Sequence, residues 1–471
     1  MCSGDRLGRD CVSMTLPRSS KQALSGWGRY PVEDCVVYRP DRDREIAALV
    51  AEAPERSIAP RGRGRSYGDA AIHSAGAVIA SDRVDRMLAF DPENGVLHCE
   101  AGVTLSSIID TFLPRGFFFP VTPGTKEISV GGAIAADVHG KNHHSDGSLG
   151  DHLVELSLLI ASGEVLRCAR DENPEVFWAT IGGLGLTGVI LDARIRLKPV
   201  ASAYLMTQTE KTRNLEDTLQ RMAERDTEFE YSVAWIDCLA SGANVGRSVL
   251  MRANPAAPDA LPSNLRSDPL ALRKRWRPAI PFDFPSMTLN PLSMKLFNAG
   301  FYAAHSDGES IEDYDGYFYP LDTVPKWNRI YGKRGVLQYQ VLIPMGLAAS
   351  VLAELLESIS RSRGGSFLAV LKSMGPANQA PLSFPDSGMT LSLDFPNVGP
   401  GLITHLNQLD DLVLEAGGRV YLAKDCCLRP GLVEQMYPRF SEFLAVKEAV
   451  DPDRRFDSSL AQRLRFWGGN E

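Results

Sequence analysis

Short runs of alternating or wholly apolar side chains dominate the first 200 residues. Residues 189–197 alternate apolar and polar side chains with period two, and residues 97–99 and 157–160 are further strand-like runs. Residues 41–53 and 104–113 have helical periodicity instead, and they open on an Asp and a Thr suited to N-caps. The pattern predicts a mixed α+β region with many strand-to-strand connections.

Beyond residue 200 the predicted elements are longer. Strands are predicted at residues 230–237, 336–343, 366–372 and 389–395, and helices at about 216–225, 346–361 and 402–416. Their order predicts an antiparallel sheet covered by helices. Two segments are predicted as loops, namely the acidic residues 306–316 and the proline-rich, basic residues 253–291, which include Arg273, Lys274, Arg275 and Arg277. Residues 430–471 are predicted to be mostly helical.

Composition and charge exclude several classes of protein. The 471 residues favour two domains, and 44% hydrophobic and 23% charged residues are ordinary for a globular chain. A formal net charge of -8 argues against a nucleic-acid surface. No run reaches the roughly 18 apolar residues of a membrane helix, and residues 1–26 form a polar tail without the apolar core of a Sec signal. The eight cysteines form no C-x-x-C pair, which favours reduced thiols over zinc or disulfides.

The first glycine motif is RGRGRSYGD at residues 61–69. Glycines allow close backbone approach, and successive N–H groups with nearby arginines favour an anion such as a pyrophosphate. Two alternatives stay open: a plain surface turn, and the G-x-S-x-G elbow of a serine hydrolase built on Ser66. The elbow needs a helix after it, and residues 69–78 do not predict one.

A second motif, GLGLTG at residues 183–188, matches the G-x-G-x-x-G fingerprint of dinucleotide-binding folds. That fingerprint requires a helix directly after it, whereas residues 189–197 predict a strand. A tight turn beside a flat cofactor is therefore favoured over an NAD site.

The third segment, residues 129–150, combines small residues with polar ones. Small residues at 131–136 would let a flat ring lie against the backbone, with His139, Lys141 and Asn142 at its edge. A metal site on His139, His143 and His144 is an alternative, but Gly140 opposes the helix that would align them. A polar loop without a ligand is the other alternative.

Together these motifs resemble the decaprenylphosphoryl-β-D-ribose 2′-oxidase family, FAD-dependent enzymes with the vanillyl-alcohol-oxidase fold and a PCMH-type FAD-binding domain. The resemblance extends from residue 26 to the C-terminal segment. It rests also on FWATIGGLGLTG at 177–188, FYPLD at 318–322, LQYQ at 337–340, NQAPLSFP at 378–385 and YLAKD at 421–425.

The resemblance implies an α+β fold with two domains and non-covalent FAD. The FAD-binding domain would comprise residues 27–200, the substrate domain 201–418, and residues 419–471 would return to the FAD-binding domain. The implied FAD contacts are Pro60, Arg61, Gly62, Arg63, Gly64, Arg65, Ser66, Tyr67, Gly68, Asp69, Ala70, Gly124, Ser129, Val130, Gly131, Gly132, Ala136, Asp137, Val138, His139, Ile190 and Tyr421.

The resemblance also implies a set of substrate contacts: Lys141, Trp235, Tyr319, Gln338, Gln340, Lys372, Thr390 and Ser392. The residues themselves support part of this set, because Gln338 and Gln340 are two apart on a strand and face the same side. Sugar hydroxyls would satisfy two buried amides, whereas a solvated strand face is the alternative.

The implied reaction oxidises the C2 hydroxyl of a polyprenylphosphoryl-β-D-ribofuranose, the first half of an epimerisation to an arabinose donor for the cell envelope. Lys424 is the first candidate to deprotonate the hydroxyl, which requires a lowered pKa. Lys372 and Lys141 would supply positive charge or bind the phosphate, while Tyr67 and His139 would orient the sugar. The alternative for Lys424 is a surface lysine paired with Asp425.

Three positions depart from the mycobacterial members. Thr390 and Ser392 replace an Asn and a Cys, and Val233 replaces a Ser. The Cys anchors covalent inhibitors in those members and is not a required catalyst, so the chemistry could survive. The departures leave room for a soluble sugar, alditol or nucleoside as substrate.

Partners and location follow from the same resemblance. A quinone or O₂ would reoxidise the flavin, and a separate NADH-dependent short-chain reductase would use the product. We expect either a soluble protein or peripheral contact with the inner membrane, on its cytoplasmic or periplasmic face, through residues 253–291. A non-catalytic flavin-binding protein is a further alternative.

Overall fold

The computed structural model describes residues 16–272, 277–362, 366 and 368–468. Arg273, Lys274 and Arg275 of the predicted basic loop lie outside the described residues, as do Cys2 and Cys11.

Two smaller sheets are built from the first 200 residues. The first has the order β1-β2-β4-β3, with strands β1 (Ser20–Ser25), β2 (Val32–Tyr38), β3 (Ile58–Arg61) and β4 (Ala77–Ala80). The second has the order β5-β6-β10-β8-β9, with strands β5 (Met87–Asp91), β6 (Val96–Glu100), β8 (Leu153–Leu159), β9 (Val165–Ala169) and β10 (Val189–Arg196). Strands β7 (Phe117–Phe118) and β11 (Lys198–Pro199) form a separate pair.

The largest sheet is antiparallel, as the sequence predicts. Its order is β15-β12-β14-β13-β17-β18-β16-β19. Its strands are β12 (Tyr204–Thr212), β13 (Tyr231–Ile236), β14 (Ser248–Pro255), β15 (Gly308–Asp313), β16 (Val336–Pro344), β17 (Ala369–Met374), β18 (Gly388–Pro396) and β19 (Arg419–Val420).

Helices lie between these strands and in the C-terminal segment. They are α1 (Asp43–Glu52), α2 (Leu105–Phe112), α3 (Val130–Ala135), α4 (His143–Asp146), α5 (Leu149–His152), α6 (Pro174–Thr180), α7 (Leu215–Arg225), α8 (Ser263–Arg266), α9 (Pro291–Ala304), α10 (Tyr314–Phe318), α11 (Ala348–Ser362), α12 (Pro400–Glu415), α13 (Leu432–Met436), α14 (Phe440–Val450) and α15 (Ser459–Leu464). Among the described residues, no helix combines the length and apolar character needed to cross a membrane.

The two predicted helix starts have different outcomes. Thr104 caps α2 as predicted, because its hydroxyl accepts a hydrogen bond from the Ser107 N–H at 3.1 Å. The predicted Asp41 cap is wrong, since α1 begins at Asp43 after Arg42, which makes no side-chain cap.

The two predicted loops and the predicted polar tail contain regular structure. Residues 306–316 form β15 and the start of α10. β15 is an edge strand whose first half, including Glu309, is exposed, so its sequence has the composition of a loop. The predicted polar tail contains β1, which pairs with β2, and residues 253–291 include the end of β14 and all of α8.

The C-terminal segment contacts the first sheet. Phe456 forms an isolated bridge with Ile58, and α14 packs against α6. Arg463 pairs with Asp69 at 2.7 Å and with Asp425 at 2.8 Å. These contacts hold the loop that follows β3 against the chain segment containing Lys424.

Candidate active site

A cavity of about 600 Å³ lies at the meeting point of the three glycine-containing segments and the largest sheet. This volume is typical of a site for a cofactor or small ligand. The predicted site residues that line it are Pro60, Arg61, Gly62, Arg63, Gly64, Arg65, Ser66, Tyr67, Ala70, Gly124, Ser129, Gly131, Gly132, Ala136, Val138, His139, Ile190, Gln338, Gln340, Lys372, Ser392, Tyr421 and Lys424.

The loop after β3 is fixed from within by Arg61. This buried guanidinium donates to the carbonyl oxygens of Ala71 at 2.9 Å and Ser25 at 2.7 Å. Arg65 lies 4.7 Å from the ring centroid of Trp27. No helix occurs within residues 62–76, so the turn is not a nucleophile elbow and the hydrolase interpretation of Ser66 has no structural basis.

Gly68 and Asp69, predicted as cofactor contacts, face away from the cavity. A Cβ at Gly68 would lie 1.9 Å from the carbonyl oxygen of Asp425, and the Asp69 carboxylate is paired with Arg463. Both residues therefore join the loop after β3 to the segment that contains Lys424, and neither lines the cavity.

The segment from Ser129 to Gly132 forms a wall without large side chains. A Cβ at Gly131 would meet the Ala101 Cβ at 2.9 Å and its carbonyl oxygen at 3.3 Å. The Ser129 hydroxyl is buried and has no hydrogen-bond partner within the protein, which points to a partner supplied by a bound group.

Val130 and Asp137 support this wall from behind. Val130 is fully buried in the core. Asp137 accepts hydrogen bonds from the Gly150 N–H at 2.9 Å and from the side chains of Ser148, Asn378 and Ser383. Neither residue lines the cavity, although both were predicted as FAD contacts. Val130 packs in the core instead, and Asp137 anchors residues 148–150.

The second glycine motif is a turn at the cavity, as the sequence predicts. Leu184, Gly185 and Gly188 line the cavity, and β10 follows immediately. The helix of a dinucleotide-binding fingerprint is not formed.

The histidines of the third segment do not converge on one point. His143 Nδ1 accepts a hydrogen bond from the Gly375 N–H at 3.0 Å, and His144 Nε2 lies 3.0 Å from the Phe229 carbonyl oxygen. In the described part of the chain, no three His, Cys, Asp or Glu side chains are placed to hold a metal ion.

Register in the largest sheet brings the polar cavity residues together. Gln338 lies opposite Asp394 and Gln340 opposite Ser392 across the β16–β18 pair, and Val370 lies opposite Ser392 across β17–β18. Side chains two apart on a strand share a face, and these residues all line the cavity together with Lys372.

A buried acid–base cluster occupies this face. The Lys424 ammonium lies 4.2 Å from the ring centroid of Tyr67, and Gln338 donates to the Asp394 carboxylate. Burial lowers the pKa of Lys424 to about 8 against the opposing effect of the Asp394 carboxylate. Burial raises the pKa of Asp394 to about 6, and burial with the nearby Lys424 ammonium lowers the pKa of Lys372 to about 7.

The surface alternative for Lys424 is wrong. Asp425 is buried and pairs with Arg463, and Lys424 itself lines the cavity. A lysine with a lowered pKa in a cavity is able to exchange a proton near neutral pH.

His139 and Gln338 each have a buried hydrogen-bonding atom without a partner in the protein. Gln340 Nε2 donates to His139 Nε2 at 3.0 Å, while His139 Nδ1 and Gln338 Oε1 are buried without a partner in the protein. Burial, followed by the Lys372 ammonium, lowers the pKa of His139 well below its ordinary value. A ligand with several hydroxyl groups would satisfy both unpaired atoms.

Four predicted substrate contacts lie behind the cavity wall. Lys141 donates to the Tyr317 carbonyl oxygen, Tyr319 bonds to Thr122, and the Trp235 ring packs 4.4 Å from that of Phe301. Thr390 accepts a hydrogen bond from Gln340 at 3.2 Å. Burial and then the Lys372 ammonium lower the pKa of Lys141 to about 7.

Several cavity residues are absent from the sequence prediction. Asp394 is two residues after Ser392 on β18, so strand alternation alone was sufficient to predict it. Trp27, Arg277, Asp322, Lys326 and Trp327 also line the cavity. Asp322 and Trp327 lie in short 3-10 helices and the others in turns or loops, and segments of this kind give no clear periodic signal in the sequence.

The residues present fit an FAD molecule. The cavity provides a wall of small residues for a flat ring, a glycine-rich loop with Arg63 and Arg65 for a pyrophosphate, and a Ser129 hydroxyl without a partner in the protein. Gly64, at φ 63°, gives the loop a left-handed turn that favours glycine.

Comparison with known proteins agrees with this geometry. Residues 35–169 match the FAD binding domain family, and residues 343–464 match the D-arabinono-1,4-lactone oxidase family. Decaprenylphosphoryl-beta-D-ribose oxidase of Mycolicibacterium smegmatis is 37% identical over 96% of this chain and 99% of its own length. An uncharacterized protein of Streptomyces coelicolor is 36% identical over 77% of this chain and 100% of its own. L-gulonolactone oxidase of Bos taurus is 28% identical over 40% of this chain and 41% of its own.

The match to the mycolicibacterial protein covers nearly the full length of both chains, and the matched FAD binding domain contains the loop and wall described above. The chain therefore belongs to the decaprenylphosphoryl-β-D-ribose oxidase family of FAD-dependent oxidoreductases.

Proposed function

We propose that this protein oxidises the C2 hydroxyl of a polyprenylphosphoryl-β-D-ribofuranose to the 2-keto sugar, with FAD held non-covalently. The central supporting observation is the cavity face on which Lys424 and Asp394 lie beside the unpaired atoms Gln338 Oε1 and His139 Nδ1. This face offers a proton acceptor and hydrogen-bonding atoms to a polyhydroxylated ring.

FAD, when bound, supplies the two-electron acceptor for oxidation of the carbinol. Lys424 in its neutral form accepts the hydroxyl proton, because burial holds its pKa at about 8. Gln338 and His139 orient the ring hydroxyls, and Tyr67 keeps the Lys424 amine in place beneath its ring. Lys372, which lines the cavity, is the candidate for binding the substrate phosphate.

Asp394 is proposed to set the working pH of Lys424. Its carboxylate raises the pKa of the lysine above the value that burial alone would give. Because a base must be unprotonated to act, activity should rise with pH through about 8, the pKa of Lys424.

In Asp394→Asn the pKa of Lys424 should fall, and the rising limb of the pH–rate profile for flavin reduction should move to lower pH. A role for Asp394 in packing alone would lower the rate without moving this limb. The proposed effect of Asp394 on Lys424 would be contradicted if Asp394→Asn protein retained its flavin and the rising limb of its pH–rate profile stayed at the same pH.

A second candidate function keeps the chemistry and changes the substrate. Thr390, Ser392 and Val233 differ from the residues of the mycobacterial members, and Ser392 lines the cavity. This observation favours a soluble sugar, alditol or nucleoside as the alternative.

Anaerobic bleaching of the bound flavin separates the two candidates. We expect a polyprenylphosphoryl ribose to bleach the flavin at far lower concentration than ribose, an alditol or a ribonucleoside. The opposite ranking would favour the second candidate, and no bleaching by any of them would indicate a non-catalytic flavin protein.

The electron acceptor and partners belong to the same proposal. A quinone or O₂ would reoxidise the flavin, and an NADH-dependent short-chain reductase would consume the 2-keto product. Because the substrate carries a polyprenyl chain, peripheral contact with a membrane is also proposed.

A further inference from the structure

An apolar surface extends from residue 282 to residue 297. Phe282, Met287, Leu292, Leu296 and Phe297 expose 63%, 78%, 67%, 65% and 48% of their surface. Helix α9 buries only Met294 and Asn298. We call these five exposed side chains the apolar face. Large apolar side chains concentrated in this way mark an interaction surface.

The apolar face is joined to the rim of the cavity. The Ile280 N–H donates to the Pro325 carbonyl oxygen at 3.0 Å. The Phe284 N–H donates to the Arg329 carbonyl oxygen at 2.9 Å. Pro325 itself lines the cavity, as do Arg277, Lys326 and Trp327. A surface that met the apolar face would therefore also meet the cavity rim.

The segments around the apolar face are basic. Residues 277–304 and 324–334 contain six basic residues and one acidic residue, in a chain whose net charge is -8. The basic residues are Arg277, Lys295, Lys326, Arg329, Lys333 and Arg334. The single acid, Asp283, pairs with Arg29 at 2.6 Å, and Arg277 is itself paired with Asp315. The positive charge of the surround therefore rests on Lys295, Lys326, Arg329, Lys333 and Arg334.

We propose that the apolar face and its basic surround dock on an anionic lipid bilayer. The apolar side chains would enter the boundary between headgroups and acyl chains, and the lysines and arginines would lie among lipid phosphates. A second copy of this chain fits less well, because a two-fold interface would bring the two basic surrounds together.

Docking of this kind would hold the cavity rim at the membrane surface. The sugar of a lipid-linked substrate could then enter the cavity while its chain stays in the bilayer. The docking surface itself does not depend on the proposed reaction, and vesicles without any sugar lipid test it separately.

The test is co-sedimentation of the FAD-loaded protein with vesicles of phosphatidylglycerol and phosphatidylethanolamine, and with vesicles of phosphatidylcholine alone. We expect binding to the anionic vesicles that weakens with salt. The triple variant Leu292→Gln, Leu296→Gln, Phe297→Gln should lose at least about 10-fold in partitioning, because the apolar part of interfacial binding scales with buried area.

A matched variant replaces exposed apolar residues elsewhere, namely Val32→Gln, Leu88→Gln and Val165→Gln, which expose 61%, 45% and 51%. It should bind vesicles like the unmodified protein. Both variants should keep the flavin spectrum, which shows that they are folded.

The proposal is overturned if the unmodified protein does not bind anionic vesicles, or if both triple variants lose binding equally. It is also overturned if the α9 variant keeps vesicle binding and changes the oligomeric state in sedimentation velocity, since the face would then join two copies. Failure of the sugar-lipid substrate with intact vesicle binding would refute the proposed function alone.

Discussion

Lys424→Ala should slow reduction of the bound flavin by substrate about 10²- to 10⁴-fold, the usual contribution of a positioned general base. The flavin should remain bound, because the loop and wall that surround it contain other residues. Burial holds the pKa of Lys424 at about 8, so a neutral amine is available near neutral pH, and Ala removes it. Anaerobic stopped-flow measurement of flavin absorbance gives the rate.

Lys211→Ala is the matched control. Its ammonium lies 4.3 Å from the Tyr302 ring centroid, close to the 4.2 Å of the Lys424–Tyr67 pair, but Lys211 is not a cavity residue. This variant should reduce its flavin at the unmodified rate. Lys424→Arg keeps the positive charge without a titratable amine, so it should remain slow. Near-normal turnover in Lys424→Ala protein with a full flavin content would remove Lys424 from the mechanism.

Gly131→Ala should weaken FAD binding by roughly 10- to 100-fold, in line with the cost of overpacking a tight site. The added Cβ would lie 2.9 Å from the Ala101 Cβ and 3.3 Å from its carbonyl oxygen. Relief of that contact has to move the wall segment toward the space that the flat ring needs. Flavin content after purification and titration of the apoprotein with FAD measure the change.

Two further variants make the Gly131 result specific. Gly346→Ala adds a Cβ with no atom within 4 Å, so its FAD affinity should be unchanged. Ala101→Gly in the Gly131→Ala background removes the 2.9 Å contact and should restore part of the affinity. Normal flavin content in the Gly131→Ala single variant would show that the wall does not limit the cofactor site.

Periodicity predicted most of the largest sheet, because β16 and β18 are long and largely buried and each has apolar side chains at alternating positions. β15 escaped prediction because this edge strand is rich in acidic residues and exposed over its first half, so it has the composition of a loop. Helix α9 escaped for the opposite reason: most of its exposed residues are apolar, so no continuous polar face marks its period.

The glycine motifs identified the cofactor side of the cavity, since close approach restricts those positions to small residues. Motif membership did not distinguish residues that line the cavity from residues that hold the motif in place. Asp69 and Asp137 belong to the motifs, yet Asp69 pairs with Arg463 and Asp137 accepts hydrogen bonds from Asn378 and Ser383. Such partners are remote in sequence, so only the folded structure reveals them.

The substrate side depended on register between strands. Gln338 was predicted from its own strand, whereas its partner Asp394 lies 56 residues away. The pairing of β16 with β18 places the two side chains opposite each other. Alternation along β18 places Asp394 on the same face as Ser392, but its contact with Gln338 and its effect on the pKa of Lys424 emerge only from the folded structure.

The central claim, oxidation at C2 of a lipid-linked ribose in this cavity, is tested most directly by deuterium substitution. The FAD-loaded protein is mixed anaerobically with polyprenylphosphoryl ribose that bears deuterium at C2 or at C3, and the decay of flavin absorbance is followed. Slower bleaching with the C2-deuterated substrate alone is the predicted result. Slower bleaching with the C3-deuterated substrate, or no bleaching with either, would contradict the claim.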